Sequence, residues 1–125
     1  MEKKKILMID DDQDFIKLVK MNLEETGRYE VRIEDKGETG VSSAIAFKPD
    51  IILLDVVLGD IDGSNVAAQI KNNKSVKDIP IVYVTAIINE KEEGKLHDFL
   101  GGYPFLAKPV STAKLIECIE THIKN

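Results

Sequence analysis

Three apolar runs in this chain lack the alternation of a half-exposed strand: "KILMI" at residues 5–9, "DIILLD" at 50–55 and "IPIVYV" at 79–84. A strand with one face in water alternates apolar and polar side chains, whereas a strand covered on both faces reads as an almost continuous apolar run. The covering layers must come from the segments between, and these carry apolar residues at helical spacing. Phe15, Leu18, Val19 and Leu23 predict a helix over 12–26, with Gly27 as its C-cap. A second helix, over 38–47, stops at "KPD", because the residue before a proline is pushed out of the helical region. Further helices are predicted over 64–72, 89–100 and 111–123, the last burying Leu115, Ile116, Ile119 and Ile123. "YEVRI" at 29–33 alternates, as suits a strand nearer a sheet edge, and "YPFL" at 103–106 is the last strand. Five strands each followed by a helix demand crossover connections, hence a parallel sheet wrapped on both faces. The expected fold is a three-layer α/β sandwich.

At 125 residues and 43% apolar content the chain is expected to be one domain over 1–125, with no effector domain attached. Its longest apolar stretches fall well short of the roughly 20 residues that span a bilayer, and it has no signal-peptide pattern. A lone cysteine, Cys118, agrees with a reducing, cytoplasmic setting. A net charge of −5 argues against a nucleic-acid surface, which needs a basic patch. The lysines at 3–5 read as a solubilising lead-in to the first strand.

Ligands of such sheets bind outside the carboxyl ends of the strands. Those ends carry Asp10 and Asp11 after the first strand, Asp55 at the end of the third, Thr85 after the fourth and Lys108 past the fifth. Each has an ordinary explanation: helix cap, loop hydroxyl, surface lysine. Asp12, at the head of the first helix, reads as an N-cap. Their convergence on one edge is what sets Asp10, Asp11, Asp55, Thr85 and Lys108 apart. Three neighbouring carboxylates cannot all stay ionised beside one lysine, and a hard divalent ion such as Mg²⁺, which prefers oxygen ligands, fits the remainder. A carboxylate beside such an ion can attack phosphorus and form an acyl phosphate.

Taken together, "ILMIDDD", "PDIILLDVVLGDIDG", "IPIVYVTA" and "FLAKPV", in that order and separation, resemble the receiver domain of two-component response regulators of the CheY-like superfamily, from about Lys4 to the C-terminus. The resemblance implies a flavodoxin-like, doubly wound sheet in the order 2-1-3-4-5 with five helices. It implies that Asp55 accepts a phosphoryl group from a histidine kinase phosphohistidine, or from a phosphotransfer protein. Asp10, Asp11, Asp55 and the Val57 backbone carbonyl would hold Mg²⁺, with Mn²⁺ able to substitute. Thr85 and Lys108 would grip the phosphoryl oxygens, Phe105 would be the switch aromatic coupled to Thr85, and the bond from Lys108 to Pro109 would be cis. The face built from residues 89–106 and the last helix would dock an effector protein or a second copy. No membrane contact is implied, and catalysis would extend only to the domain's own phosphorylation and dephosphorylation.

The sequence departs from the family pattern in three places. Gly59 stands where many members have proline, which suggests a looser loop after Asp55. The interval from Thr85 to Lys108 is one residue longer than usual. "GGYPF" replaces a more familiar pattern before the last strand. Val57 and Ile87 occupy positions that tune hydrolysis in the family, and two apolar side chains there predict a long-lived acyl phosphate. Asp62 and Gly63 read as a turn entering a helix. His97 and His122 read as surface or helix-end histidines, and Cys118 as a half-buried small side chain. Two other functions compete. One is a haloacid-dehalogenase-like phosphatase with Asp10 as nucleophile and Asp12 as acid/base, against which stand Asp14 and the short chain. The other is a pseudo-receiver that works by contact alone.

Overall fold

The computed structural model of the chain describes residues 2–86 and 102–123. Five strands, β1 (Lys4–Ile9), β2 (Tyr29–Glu34), β3 (Ile51–Leu54), β4 (Ile81–Ala86) and β5 (Phe105–Lys108), form one sheet in the order β2-β1-β3-β4-β5. Every neighbouring pair is parallel. Among the described residues four helices accompany them: α1 (Gln13–Glu25), α2 (Gly37–Phe47), α3 (Gly63–Lys71) and α4 (Thr112–His122). The helix predicted over 89–100 lies outside the described residues, as do Ile87 and His97. This is the flavodoxin-like, doubly wound arrangement, with β3 central and wholly buried. The alternating β2 takes an edge.

The unbroken apolar strands divide their side chains between two cores. Ile6, Met8, Leu53 and Val84 face α1 and α4, whose Ile16, Val19, Leu23, Leu115 and Ile119 complete that side. Leu7, Ile9, Leu54 and Tyr83 face α2 and α3, which supply Ala44, Phe47, Val66 and Ile70. Burial on both faces explains why the strands show no alternation.

Several boundaries and one helical face differ from the expectation. β4 begins at Ile81 rather than residue 79, because Pro80 has no N–H to donate and only accepts, from Ile52 N at 3.0 Å. β5 begins at Phe105, after Pro104, and runs to Lys108 because Ala107 and Lys108 pair with Thr85 and Ala86. Thr85 and Lys108 therefore lie within their strands, not beyond them. In α1 the buried stripe is Ile16, Val19 and Leu23, while Leu18 is 52% exposed. The spacing 16, 19, 23 sets the face, and Leu18 lies roughly 100° round the helix from Val19. Asp12 caps α1 as expected, its carboxylate accepting from Phe15 N at 3.1 Å.

Candidate functional site

The sheet register builds the site. Ile9 pairs with Leu54, so Asp10 and Asp55 leave adjacent strands side by side. Asp55 N donates to the Ile9 carbonyl at 2.9 Å, and Asp10 N donates to that of Glu34 at 3.1 Å. On the other side of β3, the pairing of Leu54 with Tyr83 brings Thr85 to the same edge, and β5 adds Lys108. Asp10 is 0% exposed, Asp55 7% and Thr85 5%, while Asp11 is exposed. Asp10, Asp11 and Asp55 each bring one carboxylate oxygen within 4.8 Å of the others.

Lys108 Nζ sits 2.6 Å from Asp10 Oδ2 and 3.6 Å from Asp55 Oδ2, above the Phe15 ring at 4.7 Å from its centroid. Burial works against the Lys108 charge, yet contact with Asp10 and then Asp55 outweighs it and raises the ammonium's pKa. Burial also pushes the Asp55 carboxyl up, and the charge of Asp10 adds to this against the opposing pull of Lys108. Asp10 Oδ1 accepts from Asp12 N at 2.9 Å. Its Oδ2 is paired with Lys108 Nζ at 2.6 Å. An all-oxygen donor set of three carboxylates with a single nearby ammonium leaves negative charge in excess and suits a hard divalent cation.

The loop after Asp55 begins by turning back toward its carboxylate. Val57 N points back to Asp55 Oδ1 at 3.4 Å, and the Val57 side chain is 68% exposed. Gly63 opens α3 and donates to the Val56 carbonyl at 2.8 Å. A methyl group at Gly63 would collide with the Asp55 carbonyl oxygen and lie 2.9 Å from Val56 Cα, so only glycine allows α3 to start this close to Asp55. The Lys108–Pro109 peptide bond is cis. Phe105 is half-buried on the α2/α3 side of the sheet, in register with Tyr83, whose ring meets Tyr103 edge-on at 5.7 Å.

The family model for the response regulator receiver domain matches residues 6–120. The chain belongs to that family. Among its relatives are the alkaline phosphatase synthesis transcriptional regulatory protein PhoP of Bacillus subtilis, 37% identical over 86% of this receiver and 43% of that protein. The polar-differentiation response regulator DivK of Brucella anthropi is 26% identical, covering 96% of each chain. The receiver spans from 26% to 52% of the length of the first five curated relatives it matches. Among solved structures, a Vibrio cholerae chemotaxis protein superposes with a TM-score of 0.85 at 21% identity, covering 98% of this receiver and all of that chain. The receiver domain of a Pseudomonas aeruginosa sensor histidine kinase, solved with a magnesium ion coordinated in its active-site cleft, gives 0.83 at 25% identity. That match covers 97% of this receiver and 98% of that chain.

Receiver domains are regulatory, bind Mg²⁺ in an acidic site and interact with histidine kinases and effectors. Among the described residues no helix of this receiver is long and apolar enough to cross a membrane. Cys118 is buried and free, and burial, with the charge of Glu117, pushes its thiol up. His122 closes α4 with Nδ1 2.8 Å from the Cys118 carbonyl. Sequence reasoning passed over Asp60, whose carboxylate accepts from the first backbone amides of α2. The available signal was the absence of a capping side chain at Lys36, where α2 begins.

Proposed function

We propose that this receiver is a phosphoacceptor switch in which Asp55 takes a phosphoryl group from a histidine kinase phosphohistidine or a phosphotransfer protein, with Mg²⁺ bound by Asp10, Asp11, Asp55 and the Val57 carbonyl. The observation that carries it is the meeting of three carboxylates within 4.8 Å beside Lys108 Nζ. Mn²⁺, with the same taste for oxygen, would substitute. The chain acts as one receiver unit that passes its state on by contact and is itself no further enzyme.

An Asp55 carboxylate oxygen attacks phosphorus, the P–N bond to the donor imidazole breaks, and the electron pair leaves with the ring nitrogen. Lys108 supports the charge spread over the phosphoryl oxygens, and the Thr85 hydroxyl donates a hydrogen bond to one of them. Bound Mg²⁺ would supply the remaining positive charge at the same oxygens. Hydrolysis reverses the outcome: water attacks phosphorus, releases inorganic phosphate and restores the carboxylate. The apolar Val57 side chain beside the site slows that water.

Phosphorylation replaces a carboxylate of one negative charge by an acyl phosphate that carries roughly 1.5 to 2, along with three new acceptor oxygens, a change that shifts a conformational population rather than building a new fold. Thr85 and Phe105 lie on neighbouring strands and relay the shift to β5 and α4, which are proposed to bind an effector or a second copy; the rest of the docking segment expected over 89–106 lies outside the described residues as far as residue 101. The test is intact mass and site mapping after incubation with Mg²⁺ and acetyl phosphate, with an EDTA control. Metal-dependent gain of one phosphoryl group at Asp55, lost in Asp55→Asn, is the expected result. Labelling at Asp10 would instead favour phosphatase chemistry, and no labelling would favour a contact-only module or a receiver that accepts only from its own kinase.

A further inference from the structure

The loop that follows Asp55 carries Val57, and Gly59 lends it no stiffness. Two sets of contacts nevertheless fix it to α2. Asp60 Oδ1 accepts from Gly37 N at 2.8 Å and its Oδ2 accepts from Glu38 N at 3.0 Å. Lys36 occupies the N-cap position of α2 in an extended conformation and makes no side-chain capping bond. Next to Asp60, Ile61 lies so close over Gly37 that a methyl group there would come within 2.5 Å of Ile61 Cγ1. One turn further along, a methyl group at Gly40 would lie 2.6 Å from Cδ1 of Ile9, the residue before Asp10. The first turns of α2 therefore touch both arms of the acidic site: the end of β1 through Gly40, and the loop after Asp55 through Gly37 and Glu38.

A helix is ordinarily capped by a serine, threonine, asparagine or aspartate of its own at the N-cap. Here the acceptor sits on the phosphoacceptor loop, so the bonds that satisfy the α2 amides also tether the loop. We infer that Asp60 is a positioning residue for the ion site, anchoring the Val57 segment to the start of α2 and so holding it in place relative to Asp10 and Asp11. This rests on the reading of Asp10, Asp11, Asp55 and the Val57 carbonyl as the Mg²⁺ seat. Asp60 touches neither ion nor reacting atoms and acts through the loop backbone.

The full chain, Asp60→Ala, Asp60→Asn and the double variant Lys36→Ser/Asp60→Ala are titrated with Mg²⁺ alone and followed by backbone amide NMR. Hydrogen exchange at Gly37 and Glu38 and thermal melts accompany each titration. Asp60→Ala is expected to weaken Mg²⁺ binding by up to about tenfold, the lower end of what loss of a group bonded directly to a ligand costs, since Asp60 acts one step further out. Asp60→Asn, which keeps one acceptor oxygen, falls between. Adding Lys36→Ser gives α2 a cap of its own, so melting temperature and amide protection recover while Mg²⁺ binding stays weak. Recovery of Mg²⁺ affinity in the double variant would reduce Asp60 to an ordinary cap and overturn the inference. So would unchanged affinity in Asp60→Ala. A wild-type chain that binds no Mg²⁺ would sink the site reading itself, and the inference with it.

Discussion

Asp55 is held between opposing forces. Burial and the neighbouring Asp10 charge favour its protonated form, and Lys108 favours the ionised one, with the net effect upward. A carboxyl whose folded pKa is raised binds its proton more tightly in the folded chain. Its contribution to stability is thus fully present below the unfolded value of about 3.9 and is lost as pH rises through the folded pKa. Asp55→Asn removes that loss. The variant is expected to show a higher urea midpoint than the wild type at pH 7, the gap closing as the pH is lowered toward about 4. Lys108→Met acts in the opposite sense, stranding the Asp10 carboxylate, which is 1% exposed at its side chain. Removing one partner of a buried pair costs on the order of 3 kcal/mol. Urea unfolding should show that loss at pH 7, with added Mg²⁺ restoring part of it. These residues were legible in the sequence because strand ends of a parallel sheet converge, and "ILMIDDD", "DIILLD" and "FLAKPV" each end on one. Asp60 was not, because it serves a helix that begins 23 residues earlier in the chain.

At the scale of elements, the start of α3 is set by a single missing side chain. Gly63→Ala forces a methyl group into the Asp55 carbonyl, where backbone rather than a flexible side chain must yield. Overpacking of this kind costs about 3 kcal/mol. A chemical-denaturation midpoint should fall accordingly, and phosphorylation by acetyl phosphate should slow, since the displaced backbone is that of Asp55 itself. The apolar runs located β1, β3 and β4, the alternating "YEVRI" located β2, and "YPFL" overlaps the first half of β5, yet the ends were read imperfectly for a physical reason. Apolarity records burial, whereas a strand begins where backbone donors find partners. Pro80 and Pro104 are apolar but donate nothing, so β4 and β5 start one residue after each. Lys108 is charged and was read as loop, but the register with Ala86 carries it into the sheet. The phase of α1 was misjudged in the same way: Leu18 is apolar without being inside.

For the whole molecule, the parallel sheet covered on both faces followed from counting strand and helix segments, whereas the order β2-β1-β3-β4-β5 came only from the likeness to receivers. The two-sided core was legible because no central strand alternates. A cation that binds only the folded arrangement of carboxylates stabilises the entire chain by mass action. Mg²⁺ is therefore expected to raise the melting temperature of the wild type in a concentration-dependent manner, and to leave that of an Asp10→Asn/Asp11→Asn variant unchanged, as a calorimetric scan would report. The same strand order has a consequence in time. β2, β1 and β3 are neighbours and all lie within the first 54 residues, so a chain emerging from the ribosome N-terminus first can lay down three-fifths of its sheet early. Once those three strands pair, Asp10 and Asp55 would stand side by side before Lys108 has been synthesised. Such a three-stranded sheet would carry an electrostatic debt that only the last strand to arrive, or a captured cation, can settle.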